Sequence, residues 1–188
     1  MLYNLSLQLD EKIDKKETFS TDTAEKMKLG HYGTHLDRLL WTSIPLEHFK
    51  RRALLFDVAA FWQQKEIQCS DLELELIEAG DFIVFRTGVM AAYGYTGSEY
   101  MKIYGELSWE LIKTLTDKKV SFIGLDARGI RRNDEHKEAD MYTEKNGCYV
   151  IENLTGLCTL PEKIPFIIYT ACFEISATGI PCKVVAEI

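Results

Sequence analysis

The sequence is short of basic residues and of long apolar runs. It has 22 lysines and arginines against 29 aspartates and glutamates, a formal net charge of −7 and a pI of about 5.2. A protein that binds nucleic acid irrespective of base sequence needs a basic face to displace counterions. An anionic membrane surface also attracts clusters of lysine and arginine. We therefore expect neither nucleic acid nor a membrane as a partner.

The 188 residues show neither a membrane-spanning run nor a secretory signal. No apolar run approaches the length of a membrane span, and the first residues lack the charged start and apolar stretch of a secretory signal. We therefore expect a cytoplasmic protein. The five cysteines, an odd number without a C-x-x-C pair, are Cys69, Cys148, Cys158, Cys172 and Cys182. Reduced thiols are expected in that compartment, with Cys148 and Cys172 as small buried side chains.

Internal repeats, low-complexity segments and linkers are absent, which favours one domain over residues 1–188. Alternating or continuous apolar runs predict strands at 2–9, 53–60, 82–87, 120–125, 148–151, 165–173 and 182–187. Helices are predicted over 70–79, over about 18 residues from Ser98, and over 134–145, with an exposed loop over 10–23. Because strands outnumber helices and their order is irregular, we expect an α/β domain with a mixed β-sheet.

The chain has only four histidines, and His31 and His35 lie together in the stretch G-H-Y-G-T-H-L-D over residues 30–37. In an extended backbone, side chains two residues apart share a side, so His35 and Asp37 point the same way. A turn at Gly33 can fold His31 back towards them. Two imidazoles and a carboxylate suit Zn²⁺, Mn²⁺ or Fe²⁺. The alternative is that these side chains only cap backbone groups, and the spacing alone leaves both interpretations open.

The string His31-Tyr32-Gly33-Thr34-His35-Leu36-Asp37 resembles the H-x-G-T-H-x-D signature of the cyclase family, which includes bacterial kynurenine formamidases. Further blocks resemble family motifs in the same order: I-P-L-E-H-F at 44–49, R-T-G at 86–88, G-L-D-A at 124–127, V-I-E-N-L at 150–154 and G-I-P-C-K-V-V-A at 179–186. The resemblance therefore spans nearly the whole chain.

The resemblance implies the family's swivelling β/β/α fold and hydrolysis of an amide or formamide bond through metal-activated water. N-formylkynurenine, an aromatic formamide of tryptophan catabolism, is the substrate of the kynurenine formamidases in that family. One or two divalent ions per chain, Zn²⁺ or Mn²⁺, are implied, and so is a homo-oligomer, either a dimer or a tetramer. Carried over residue by residue, the metal ligands are His31, His35, Asp37 and Glu152.

One departure from the family pattern concerns the remaining ligand. The family commonly has a histidine twelve residues before the glutamate, and that position is Asp140 here. A carboxylate is an acceptable ligand, and the register favours Asp140. His136 lies four residues earlier and shares a helix face with Asp140, so helix phase cannot separate the two. His136 also has an ordinary explanation as a solvated residue among charged neighbours.

A second departure concerns the general base. The family signature continues D-A-P-x-H, and its last histidine is thought to act as the base, but here Arg38-Leu39-Leu40-Trp41 follows Asp37. The catalytic residues are therefore unassigned, with Glu152 and His136 as weak candidates for proton transfer. The chain either hydrolyses a small molecule or binds one at a retained metal site without turnover. A purely structural metal is a third interpretation.

Substrate contacts are predicted for two residues after the signature. Trp41 suits an aromatic ring, and Arg38 suits a carboxylate. Both have ordinary alternatives, which are core packing for Trp41 and pairing with a surface acid such as Glu47 for Arg38.

Overall fold

The computed structural model describes residues 1–8, 29–95, 99–103, 105–173 and 175–188. The strands are β1 (Leu2–Asn4), β2 (His35–Asp37), β3 (Lys50–Asp57), β4 (Phe82–Arg86), β5 (Phe122–Leu125), β6 (Tyr149–Glu152), β7 (Phe166–Cys172) and β8 (Gly179–Glu187). The α-helices are α1 (Val89–Tyr93), α2 (Trp109–Asp117) and α3 (Asp134–Lys145). Short 3₁₀ helices are Leu46–Phe49, Cys69–Asp71, Leu74–Leu76, Tyr100–Lys102 and Leu157–Thr159.

The strands form a mixed sheet that closes on itself. The order is β1-β8-β2-β6-β5-β4-β3-β7, and β7 also pairs with β8, so seven strands complete a barrel and β1 extends the edge of β8. Strands β3 to β6 are parallel, and the remaining pairings are antiparallel. The α/β class and the mixed sheet are thus confirmed. The swivelling arrangement and a single domain over residues 1–188 stay predictions.

Alternation along the strands divides the core into two parts. Ala53 and Leu55 of β3 belong to a cluster that fills the barrel. Leu54 and Phe56 belong to a second cluster that packs beneath α2 and α3. Successive side chains of a strand point to opposite faces, so a strand covered on both faces is apolar throughout.

Helix α2 begins later than the apolar periodicity predicts. Its first residue is Trp109, and the hydroxyl of Ser108 accepts the N–H of Leu111 as an N-cap. Leu107 instead forms a parallel bridge with Ile67, and a Cβ at residue 105 would lie 2.2 Å from the carbonyl oxygen of Trp62. Among the described residues, the helix predicted from Ser98 is therefore present only from Trp109, and Tyr100–Lys102 forms a 3₁₀ helix instead. Residues 96–98 and 104 lie outside the described part.

The remaining predicted helices, the first strand and the first loop agree with the structure to different extents. Helix 134–145 is confirmed as α3. The helix predicted over 70–79 is wrong, since two 3₁₀ turns occupy that stretch. The first strand is shorter than predicted, and the loop expected over 10–23 lies outside the described residues. Within the described ranges, no helix has both the length and the apolarity to cross a bilayer.

Candidate metal centre

Strand β2 carries the centre of the candidate site. It lies between β6 and β8, with His35 opposite Glu152 on one side and Pro181 on the other. Leu36 points into the barrel, so His35 and Asp37 lie on the outer face, as the two-residue spacing predicts. His35 Nε2 lies 3.5 Å from Asp37 Oδ1 and 3.7 Å from Glu152 Oε2.

The turn before β2 brings His31 to the same place. Gly30 has a φ of +81°, and a Cβ there would lie 1.8 Å from the carbonyl oxygen of Gly179. Only glycine allows this close approach. The turn places His31 Nδ1 2.9 Å from Asp37 Oδ1, while His31 Nε2 shares a hydrogen bond of 2.9 Å with Thr178 Oγ1. The folding back of His31 that the sequence suggested is therefore observed.

Helix α3 supplies His136 and Asp140 from the opposite side. His136 Nε2 lies 3.2 Å from Asp140 Oδ2, 3.3 Å from Glu152 Oε1 and 3.8 Å from Asp37 Oδ2. Both residues thus reach the cluster, whereas the sequence had presented them as alternatives. His136 is half-buried rather than a solvated surface residue. Gly129 makes room for its ring, since a Cβ there would lie 2.5 Å from His136 Cε1.

Two sets of potential ligands share one carboxylate. His31, His35 and Asp37 form the first set, and Asp37, His136 and Glu152 form the second. In each set the ligand atoms all lie within 4.8 Å of one another. Asp37 Oδ1 faces the histidines of the turn and β2, whereas Oδ2 faces His136. A carboxylate offers two oxygens, so Asp37 can serve both sets.

The unpaired acceptors show that the residues fit a divalent cation. Glu152 Oε1 and both side-chain oxygens of Asp140 are buried and have no donor of hydrogen-bond geometry among the described residues. Buried carboxylate oxygens without a partner are costly. Imidazole nitrogens with several carboxylates form a donor set that suits Zn²⁺ or Mn²⁺. The arrangement can therefore hold a cation.

The electrostatics point the same way. Burial opposes the charge of Asp37, but His136, His31 and His35 hold the pKa of its carboxyl well below the usual range. Burial likewise lowers the pKa of His35, yet the hydrogen bond and charge of Asp37 raise it to about 9 overall. Asp140, Asp37 and Glu152 together raise the pKa of His136. These acids thus hold protons on His35 and His136, and a metal would replace protons there, because a metal-binding imidazole must be neutral.

A hydrogen-bond chain that the sequence analysis missed fixes the orientation of His35. His35 Nδ1 lies 2.9 Å from the carbonyl oxygen of Gly33, which can only accept, so this nitrogen carries the proton. Asn153 Nδ2 donates to the same oxygen at 2.9 Å, and Tyr100 donates its hydroxyl proton to Asn153 Oδ1. His35 Nε2 is left facing the carboxylates. The asparagine beside Glu152 in the V-I-E-N-L block was the available signal.

Glu144 of α3 holds the loop that follows β2. Its buried carboxylate accepts the N–H of Leu40 at 2.7 Å, the N–H of Thr42 at 3.0 Å and the hydroxyl of Thr42 at 2.8 Å. Trp41 lies between these anchors with a φ of +60° and is 51% exposed. Arg38 is buried, donates from Nη2 to the carbonyl oxygen of Ile175 and lies 5.5 Å from the Trp41 ring centroid. The loop thus holds a half-exposed indole ring four residues after Asp37 in the sequence.

His48 belongs to the barrel core and not to this cluster. Its ring packs against Phe122 and Tyr149, with centroid distances of 5.3 and 5.9 Å. Burial and the charge of Arg51 lower its pKa to about 4.

The Cyclase family model matches residues 3–131. No curated protein matches the chain in sequence. Isatin hydrolase A from Labrenzia aggregata, bound to benzyl benzoate, is similar with a TM-score of 0.76 and 17% identity, over 99% of this chain and 93% of that chain. A potential metal-dependent hydrolase with cyclase activity has a TM-score of 0.74 and 20% identity, over 99% and 96%. An isatin hydrolase bound to the product analogue thioisatinate has a TM-score of 0.73 and 16% identity, over 98% and 91%. At these identities the solved structures establish a shared fold.

Proposed function

This chain belongs to the Cyclase family, and we propose that it is a metal-dependent hydrolase that cleaves an amide or formamide bond of a small aromatic substrate. One observation carries the proposal. The turn at His31, strand β2, helix α3 and strand β6 meet around Asp37. Buried carboxylate oxygens of Asp140 and Glu152 there have no donor of hydrogen-bond geometry in the described part of the chain. The isatin hydrolases among the similar folds support this class of reaction.

The chain's own residues divide into ligands and orienting groups. His31, His35, Asp37, His136 and Glu152 would hold the metal, with Asp140 beside His136. A bound divalent ion supplies Lewis acidity and lowers the pKa of water to about 7, which provides a nucleophile near neutral pH. Asn153 and the carbonyl oxygen of Gly33 keep His35 Nε2 directed at the site. We infer Zn²⁺ or Mn²⁺, one or two per chain.

Proton transfer to the leaving amine needs a group that holds a proton near neutral pH. Burial and the charge of Asp37 raise the pKa of Asp140 to about 7. Asp140 Oδ2 also lies 3.2 Å from His136 Nε2. Asp140, which belongs to neither ligand set, is therefore our candidate for holding this proton, whereas His136 and Glu152 can hold it only when they do not bind the metal.

Trp41 is our candidate for contact with an aromatic substrate. It is half exposed and held on the loop that follows Asp37. Arg38 is buried and already donates to the carbonyl oxygen of Ile175. To bind a substrate carboxylate, as predicted, it would have to break this hydrogen bond. From the family resemblance we further propose N-formylkynurenine-like substrates of tryptophan catabolism, a cytoplasmic location and a homo-oligomer.

A second candidate function is ligand binding at the metal site without turnover. The observation that favours it is the segment after Asp37, which carries arginine, two leucines and tryptophan where the family pattern has a histidine base. A positioned acid or base typically raises the rate by about 10²–10⁴-fold, so the loss of this base favours binding over turnover.

Metal analysis combined with a substrate panel tests both candidates. The purified chain is loaded with Zn²⁺ or Mn²⁺, its metal content per chain is measured, and N-formyl aryl amines, isatin and aryl lactones are offered. We expect bound metal and turnover that His35→Ala abolishes. His48→Ala, which removes a buried histidine outside the cluster, is the matched control and should keep turnover. Metal binding without turnover of any compound would favour the second candidate, and absence of metal would refute both.

A further inference from the structure

Two cysteines face each other on strands β7 and β8, and Cys182 directly follows Pro181, the residue of β8 that pairs with His35. Cys172 and Cys182 are direct partners in this antiparallel pair. Their Sγ atoms are 3.0 Å apart, and both thiols are free. Direct antiparallel partners have Cα atoms about 4.5–5.5 Å apart, which lies within the range that a disulfide spans. The backbone therefore already permits a bond between these sulfur atoms.

The two thiols differ in their surroundings. Cys172 is half-buried near the end of β7, so solvent reaches it. Cys182 is buried, and its sulfur contacts the carbonyl oxygen of Ile180 at 3.1 Å. Burial raises the pKa of Cys182, and thiols react as thiolates. An oxidant from solution should therefore meet Cys172 first, with Cys182 placed to react second.

We propose that Cys172 and Cys182 form a redox-active dithiol that a peroxide oxidises to a cross-strand disulfide. The thiolate of Cys172 attacks one oxygen of hydrogen peroxide, the O–O bond breaks, hydroxide leaves and takes up a proton, and Cys172 becomes a sulfenic acid. The sulfur of Cys182 then attacks the sulfur of Cys172, the S–O bond breaks, and the hydroxyl leaves as water with the thiol proton of Cys182. In sum, two thiols and one peroxide give one disulfide and two waters.

The bond would close a loop that contacts the metal centre. The connection from β7 to β8 lies between the two cysteines, and it carries Thr178, which bonds to His31, and Ile175, whose carbonyl oxygen accepts from Arg38. The N–H of Cys182 also donates to the carbonyl oxygen of Thr34, one residue before His35. A disulfide would thus restrict the motion of the β7–β8 loop, which contacts the turn before β2.

Peptide mapping of the oxidised protein tests the proposal. The full chain is treated with hydrogen peroxide, alkylated in denaturant and digested with trypsin without reduction. Both cysteines fall in one tryptic peptide, residues 164–183, between Lys163 and the cleavage after Lys183. We expect this peptide to become lighter by two hydrogens and to take up no alkyl group. Dithiothreitol should restore two alkylation sites.

Variants identify the pair. Cys172→Ser should abolish the internal bond, whereas Cys158→Ser, which removes an exposed cysteine elsewhere, should leave it intact. The proposal is overturned if the wild-type peptide remains doubly alkylated after peroxide, or if the bond that forms joins Cys158 or another chain. The wild-type peptide decides the question even if a variant fails to fold.

Discussion

Replacing Glu144 with alanine removes the carboxylate that holds the loop around Trp41 against helix α3. Three donors converge on it, but the Thr42 hydroxyl has a second partner in Tyr149 Oη at 3.0 Å. The loss therefore falls mainly on the N–H groups of Leu40 and Thr42. An unsatisfied buried donor costs about 1–3 kcal/mol, and water can reach part of this loop because Leu40 is 37% exposed. We expect the free energy of unfolding to fall by about 2–4 kcal/mol. Glu144→Gln keeps one acceptor and should cost about 1–2 kcal/mol.

Urea unfolding of the metal-free protein, followed by tryptophan fluorescence, measures this cost. The matched control is Glu138→Ala, an exposed glutamate on the same helix, which should change the free energy of unfolding by no more than about 0.5 kcal/mol. Under the proposed function, Glu144→Ala in the metal-loaded protein should also raise KM for an aromatic substrate, because the loop that carries Trp41 loses its hydrogen bonds to Glu144. The reasoning is refuted if Glu144→Ala unfolds at the same urea concentration as Glu138→Ala.

Three further predictions concern the metal centre and the barrel core. Asp37→Asn should lower the affinity for every ion that the cluster binds, whereas His31→Asn should lower the affinity in only one ligand set. Calorimetric titration of the metal-free protein with Zn²⁺ or Mn²⁺ tests this prediction. Unchanged affinity in Asp37→Asn would contradict it. Asn153→Ala should lower metal affinity about 10–100-fold, as the loss of a partner that orients a ligand typically does, and an unchanged titration curve would show that Asn153 does not orient His35. His48 has a folded pKa of about 4 against an ordinary 6.5, so the unfolded state binds its proton first and stability falls as pH drops from 6.5 towards 4, by at most about 3 kcal/mol. His48→Phe should reduce this acid dependence in melting curves recorded between pH 7 and 4.5, and an unchanged slope would contradict the assignment.

Local patterns in the sequence were enough for several features of the fold and of the site. The helix predicted over 134–145 is α3, and the two-residue spacing predicted that His35 and Asp37 share a side. These features depend on neighbours within a turn of helix or two residues of strand, so periodicity can reveal them. The H-x-G-T-H-x-D string likewise pointed to the family that the family model identifies.

Features that join distant segments depended on packing. The apolar period continued upstream of Trp109, yet Tyr100–Lys102 forms only a 3₁₀ helix and residue 105 packs against Trp62. Seven strands that close into a barrel, with β7 paired to β8, have no counterpart in any local pattern.

By itself, the sequence nominated candidate metal ligands, predicted the helix that carries His136 and Asp140, and showed the family signature. Only the tertiary structure decided that His136 and Asp140 both reach the site, that Glu144 holds a loop 102 residues away in sequence, and that Cys172 faces Cys182. The physical reason is range. Backbone preferences and side-chain periodicity act over a few residues, whereas the position of α3 against β2 and β6 follows from how the whole core packs.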